Sequence, residues 1–247
     1  MKPLLHEIRH NPLLWLLGFV PVVFVAVKLK PESHTLLFVL SVLAIVPLAT
    51  LLSHATESVA AKTGDAAGGL LNATLGNLTE LVIALAALKA GQYALVKASL
   101  AGAIVTNTLF MLGASFLLGG LKHHVQEYNR VSARMQGGLL FLATIALLIP
   151  SAMSVADSAE GARFTHTLSV GLALLLIVAY ALGMLFSLKT HRELFTSAAH
   201  AEDSEAPWPL RLALITLASV TVLVALVSEV FVESVQKAAE DFGMSQA

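Results

Sequence analysis

The densest polar cluster inside an apolar stretch of this sequence covers residues 72–80. Two asparagines, two threonines and one glutamate lie there, between the glycines and leucines of residues 68–71 and the apolar residues 81–85. Placing a charged side chain at the centre of a membrane helix costs about 2.5–3.5 kcal/mol, so such a residue is retained where it meets an ion, a proton or water. Glu80 is therefore predicted to bind a cation or protons.

The glycines in and before this cluster predict that its helix unwinds at Gly76-Asn77. Unwinding exposes backbone carbonyl oxygens, which join the Asn77 amide and the Glu80 carboxylate as hard ligands suited to Ca²⁺ or Na⁺. Asn77 and Glu80 are three residues apart, and Asn72, Gly76 and Glu80 follow at four-residue steps, so each set shares a helical face. The alternative is that the amides and hydroxyls only join helices by hydrogen bonds.

Four residues of other apolar segments are further candidates for the same site: Glu57, Asn107, Gln136 and Glu229. Each also has a simpler interpretation, as an interfacial side chain or as a hydrogen-bonding contact between helices. An intramembrane enzyme using His54, Glu57 and Glu80 is a different class of function. It would need a nucleophile or a full metal triad, and no such spacing occurs, so the chain is predicted not to be an enzyme.

The composition indicates a membrane protein. Of the 247 residues, 57% are hydrophobic and 13% are charged, whereas soluble domains carry about 25% charged residues. Cysteine is absent, which excludes a disulfide framework and a thiolate metal site. The net charge of −1 argues against a nucleic-acid partner.

About seven transmembrane helices are predicted, because a span needs about 20 apolar residues. The candidate spans are residues 12–29, 35–61, 68–90, 93–121, 135–153, 164–188 and 209–235. The basic residues of the connections weakly favour a cytoplasmic N-terminus. The fold class is thus all-α and multi-pass.

A faint internal repeat relates the second and last spans, which carry Glu57-Ser58-Val59 and Glu233-Ser234-Val235 near their ends. From the second span up to the last one there are five helices, counting the second span itself, and a repeat of an odd number of helices inserts upside down, as in many secondary transporters. The predicted organisation is an N-terminal segment with one helix (1–34), a first repeat (35–188), an acidic linker (189–208) and the first helix of a second repeat (209–247). The chain ends where the rest of that second repeat is expected.

Several motifs resemble, in the same order, those of CAX-type calcium/proton exchangers in the cation/calcium exchanger superfamily. Residues 76–81, Gly-Asn-Leu-Thr-Glu-Leu, are similar to the family motif G-N-A-T-E-L, with Leu78 in place of a small residue. Residues 96–107 resemble V-K-A-S-L-x-G-S-I-x-S-N, with Thr106 in place of serine. Further matches are residues 84–91, 188–191 and 228–232.

The resemblance implies two inverted five-helix repeats, each supplying a G-N-x-x-E segment whose glutamate binds Ca²⁺ and protons alternately. Glu80 would be the Ca²⁺ ligand of the first repeat, with Asn77 and Gly76 shaping the site. The other four candidates, Asn107, Gln136, Glu57 and Glu229, would line the pathway or accept protons.

The resemblance further implies Ca²⁺/H⁺ antiport in the inner cell membrane, with no cofactor besides the transported ions. The second half of the site is expected to be missing from this chain, so the expected partners are the lipid bilayer, the two ions, and either a C-terminal half or a second copy in a homodimer. Two alternatives stay open: antiport of a monovalent cation, Na⁺ or K⁺, against protons, and an inactive half-exchanger.

Overall fold

The computed structural model describes residues 2–63, 65–153, 159–191 and 208–243, and these form helices and their connections without any strand. The α-helices are α1 Lys2–His10, α2 Phe19–Leu29, α3 His34–Ala60, α4 Asp65–Leu75, α5 Leu78–Lys89, α6 Tyr93–Val105, α7 Leu112–Lys122, α8 Arg130–Met153, α9 Ala159–Leu185 and α10 Leu210–Asp241. A 3-10 helix, Pro12–Gly18, precedes α2, and π-helical segments, Thr106–Met111 and Phe186–Thr190, follow α6 and α9.

Six helical stretches of the described chain are long and apolar enough to cross a bilayer: Pro12–Leu29, His34–Ala60, Tyr93–Lys122, Arg130–Met153, Gly161–Thr190 and Leu210–Asp241. They agree with six of the seven predicted spans to within a few residues. The seventh, residues 68–90, is divided between α4 and α5, and neither part alone spans about 30 Å of hydrocarbon. Among the described residues six continuous helices are thus long enough to span a bilayer, and the seventh predicted span stays a prediction.

The chain divides into two compact units, of which the first comprises Met1–Val96 and Ser204–Ala247. Its centre is the long contact between α3 and α10. Both helices present small or medium apolar side chains at spacings of three, four and seven residues, the pattern of one buried helical face. The fully or nearly buried members are Ala44, Leu48, Leu52 and Ala55 of α3 and Ala213, Val220, Val224 and Val227 of α10.

The N-terminal segment begins with a helix of its own, which the sequence did not lead us to expect. α1 is followed by Asn11, whose side-chain oxygen accepts a hydrogen bond of 3.1 Å from the backbone N–H of Leu13. Pro12 then occupies the first turn of the 3-10 helix, where its missing N–H leaves no donor unpaired. The predicted first span is thus this 3-10 helix continued by α2.

Gly68 sets the close approach of α4 to the end of α3. A Cβ atom added there would overlap the carbonyl oxygen of Ala60, a backbone atom that cannot rotate away. We expect Gly68→Ala to destabilise the fold by about 1–3 kcal/mol, as overpacking does, and to lower the temperature at which the detergent-solubilised chain unfolds. Gly171→Ala in α9 is the matched control, because nothing lies within 4 Å of its added Cβ. Equal unfolding temperatures for the two variants would contradict the close contact of Gly68 with Ala60.

The second unit comprises Lys97–Asp203, in which α8 packs against α9 and the π-helical Thr106–Met111 joins α6 to α7. Large apolar side chains cover the outside of these helices, whereas soluble proteins rarely expose wide apolar surfaces. Among the most exposed are Leu109, Phe110, Phe116, Leu118, Phe141 and Ile177. Such a surface is expected of helices that lie within a bilayer. Most of the predicted acidic linker, residues 192–207, lies outside the described residues.

Candidate cation site

The predicted break at Gly76-Asn77 is confirmed, because α4 ends at Leu75 and α5 begins at Leu78. The Gly76 N–H still donates to the Asn72 carbonyl at 2.8 Å, and the Leu81 N–H donates to the Asn77 carbonyl at 3.1 Å. Between these two bonds the regular helical ladder is interrupted, so backbone carbonyl oxygens of the turn lie outside it. Discontinuous helices of this kind form ion sites in secondary transporters.

Asn77 is the residue that immediately precedes α5, with φ −105° and ψ 20°, and its side chain does not cap the helix. Glu80 lies in the first turn of α5, where the backbone N–H groups give the helix end a partial positive charge. Its side chain is exposed, and it forms no hydrogen bond or ion pair with the residues that the structure describes. Gly76, Asn77 and Glu80 therefore form one short segment with an accessible carboxylate.

The break also separates Asn72 from Glu80, which the four-residue spacing placed on one helical face. Asn72 belongs to α4 and Glu80 to α5, so the two do not share a continuous helix. α4 packs on α3, whereas α5 packs mainly on α10 and contacts α3 only slightly. Thr79 and Ala87 are the buried residues of α5.

Glu57 and Glu229 belong to the same unit as Glu80 but have partners of their own. Glu57, exposed on α3, accepts a hydrogen bond of 3.1 Å from the hydroxyl of Ser53. Glu229, half exposed on α10, forms an ion pair of 2.9 Å with the ammonium group of Lys89. No group of three or more His, Asp or Glu side chains able to hold a metal occurs among the described residues.

Asn107 and Gln136 lie in the second unit. Asn107 is in the π-helical segment and lines a partly open cavity together with residues of α6, α8 and α9. Gln136, on α8, donates from its amide nitrogen to the Ser132 hydroxyl of the same helix at 3.2 Å. The roles of all seven predicted site residues stay predictions.

Two residues near the end of α5 were not among the predicted site residues. Lys89 holds Glu229, and the side-chain amide of Gln92 donates to the Val232 carbonyl of α10 at 2.9 Å. The sequence shows Lys89 only as a basic residue at the end of a short apolar helix. This pattern does not predict an ion pair with a residue 140 positions further along the chain.

A second unpredicted pair joins α1 to α3. The carboxylate of Glu7, almost fully buried, lies 3.0 Å from Nδ1 of His54. His54 also stacks on Trp208, with ring centroids 6.4 Å apart. These contacts attach the N-terminal helix to the end of α3 that carries Glu57.

Six long apolar helices and one discontinuous helix among the described residues indicate a multi-pass membrane protein. The family described as sodium/calcium exchanger protein matches residues 33–189. The chain belongs to this family, as its motifs predicted.

Curated relatives agree with this family. The chain is 37% identical to the Ca²⁺/H⁺ antiporter of Aphanothece halophytica over 244 residues, covering 93% of this chain and 65% of the relative. It is 41% identical to the Ca²⁺/H⁺ antiporter ChaA of Bacillus subtilis (strain 168) over 214 residues, covering 85% and 60%. Since these relatives are CAX-type transporters, the prediction that the chain is not an enzyme is confirmed.

A solved structure described as native YfkE has a TM-score of 0.74 and 33% identity to this chain, covering 95% of this chain and 65% of that one. A second solved structure, described as the selenium-substituted Ca²⁺/H⁺ antiporter protein YfkE, has a TM-score of 0.73 and 32% identity, so the helical fold of the described residues is similar to that of a protein described as an antiporter. In each comparison the chain spans less than two thirds of the length of the protein that it matches.

Proposed function

We propose that the chain carries one half of a Ca²⁺/H⁺ antiport site, in which Glu80 binds Ca²⁺ and protons alternately. The observation that carries the proposal is the exposed carboxylate of Glu80 in the first turn of α5, directly after the break at Gly76-Asn77. The names of the antiporter relatives support calcium and protons as the two substrates.

The chemistry rests on competition for one carboxylate. When ionised, it offers two oxygen ligands to Ca²⁺; when protonated, it has lost the charge that the cation requires. Backbone carbonyls of the turn and the Asn77 amide supply neutral oxygens of the kind that Ca²⁺ accepts. A higher proton concentration on one side of the membrane therefore expels Ca²⁺ to that side, and an inward proton gradient drives Ca²⁺ out.

We propose that a second acidic ligand comes from outside the described residues, because Ca²⁺ takes about six to eight oxygen ligands and Glu80 belongs to no group of three or more potential metal ligands among them. We propose that it comes either from a further inverted repeat in the same protein or from a second copy of this chain. Asn107, Gln136, Glu57 and Glu229 then line the pathway. The inner cell membrane is the proposed location.

The decisive experiment extends the chain with the part of the Bacillus subtilis relative that it does not cover and measures ⁴⁵Ca²⁺ uptake into inverted membrane vesicles with an acidic interior. Uptake is expected to saturate with Ca²⁺, to stop when a protonophore removes the pH gradient, and to persist in excess Na⁺ or K⁺. Uptake independent of the gradient, or ²²Na⁺ uptake in place of Ca²⁺, would overturn the proposal. The added part of the relative, expressed alone, is the control.

The chain of residues 1–247, reconstituted without the added part, distinguishes the two sources of the second ligand. A dimer in detergent that exchanges Ca²⁺ in liposomes identifies a second copy as the source. A chain without exchange that gains it when extended identifies a further repeat.

A further inference from the structure

The second unit contains a cavity of about 540 Å³ between α6, α8 and α9, within the range of about 300–1,000 Å³ typical of small-molecule sites. Eleven of its sixteen lining residues are apolar. Four of these are alanines, Ala103, Ala143, Ala146 and Ala173, contributed by all three helices. Their short side chains leave the space that larger residues would fill.

The cavity runs along the helices. Its lining begins at Lys97 on α6 and ends at Asn107 in the π-helical segment that follows, ten residues or about 15 Å further along the chain. On α8 it extends from Leu140 to Ser151, and on α9 from Thr165 to Leu176. Fifteen ångströms is about half of the 30 Å hydrocarbon thickness of a bilayer, the depth of one leaflet.

The two ends of the cavity differ in polarity. Lys97, Ser151 and Thr165 lie at one end, because α6 and α9 start there and α8 finishes there. Lys97 is exposed and forms no ion pair within the described chain. The Thr165 hydroxyl is buried and has no hydrogen-bond partner among the described residues. One end thus offers a cation and a hydroxyl, while the remainder is lined mainly by leucines and alanines.

We propose that this cavity binds one anionic phospholipid, with an acyl chain between the three helices and the phosphate on Lys97. Lys97 lies about one turn inside α6 from the exposed Tyr93, the depth at which a lysine ammonium reaches the headgroup region. Basic residues at this depth attract anionic headgroups. Because Asn107 lies at the inner end, the acyl chain would approach a predicted site residue.

The test uses the chain of residues 1–247, delipidated in a non-ionic detergent. The sample is titrated with phosphatidylglycerol or with phosphatidylcholine of equal acyl length, and native mass spectrometry counts the bound lipid molecules. The expected preference for phosphatidylglycerol is about fivefold, the effect of one basic residue at an anionic surface. Lys97→Gln removes the preference and Lys97→Arg keeps it. Lys122→Gln, at the end of α7 and away from the cavity lining, is the matched control and leaves it unchanged.

A larger side chain in the cavity distinguishes a bound lipid from other occupants of the same space. Ala143→Phe, or the milder Ala143→Leu, is expected to weaken the binding of both lipids with little change in unfolding temperature. A phosphatidylglycerol preference that survives Lys97→Gln overturns the proposal. So does a result in which Ala143→Leu leaves lipid binding intact but converts a dimer to a monomer, because the occupant is then a second copy.

Discussion

Glu80→Gln is expected to abolish proton-driven Ca²⁺ uptake by the extended chain, lowering the rate by about 100-fold or more, which corresponds to about 2.7 kcal/mol. Glutamine has nearly the same shape but carries neither a negative charge nor an exchangeable carboxyl proton. Both substrates therefore lose the group that they share. Initial rates of ⁴⁵Ca²⁺ uptake into inverted vesicles measure the effect.

Two control variants distinguish the loss of the Glu80 carboxylate from the loss of a negative charge elsewhere in the chain. Glu32→Gln removes an exposed carboxylate from the connection between α2 and α3 and is expected to leave uptake unchanged. Glu80→Asp keeps the charge but withdraws it by one methylene, so its uptake should fall between those of the wild type and Glu80→Gln. Unchanged uptake in Glu80→Gln would remove the chemical basis of the proposed function.

Gly76→Ala is expected to lower uptake by about tenfold while the chain still folds. The added Cβ would lie 2.5 Å from the Asn72 carbonyl oxygen, closer than such contacts occur, so the backbone of the turn has to shift. Overpacking of this kind costs about 1–3 kcal/mol. The shift moves Asn77 and the start of α5, and with them the carboxylate of Glu80. Uptake rates and the unfolding temperature of the same preparation are compared.

Gly102→Ala, in α6, is the matched control because nothing lies within 4 Å of its added Cβ. Alanine is a better helix former than glycine by about 0.5–1 kcal/mol, so this variant should unfold at the same or a slightly higher temperature and transport normally. If both variants transported normally, the geometry of the turn at Gly76 would be irrelevant to transport.

The break and most spans could be predicted from the sequence because both depend on local composition. Apolar length alone delimits the long helices to within a few residues. Gly76 and Asn77 weaken the helix at the point where polar side chains interrupt an apolar run. The four-residue spacing of Asn72 and Glu80 assumes one continuous helix, whereas the structure places these residues in two helices, α4 and α5.

The partners of Glu229 and His54 could not be predicted in the same way. Lys89 and Glu229 are separated by 140 residues, and they meet only because α5 packs on α10. His54 meets Glu7 because a short N-terminal helix folds back against α3. Such pairings depend on which helices become neighbours, and hydrophobic periodicity describes one helix at a time.

The packing of α4 and α5 on two different helices has a mechanical consequence. α4 is attached to α3 and α5 to α10, so any sliding of α10 along α3 has to be taken up by the two residues Gly76 and Asn77. If α10 slid along α3 by the rise of one helical residue, the displacement would be about 1.5 Å. The distance from Ca²⁺ to an oxygen ligand is only about 2.3–2.6 Å, so this displacement would be large on the scale of the site. The turn that we propose to coordinate Ca²⁺ is also the place where relative motion of α3 and α10 would stretch or compress the chain.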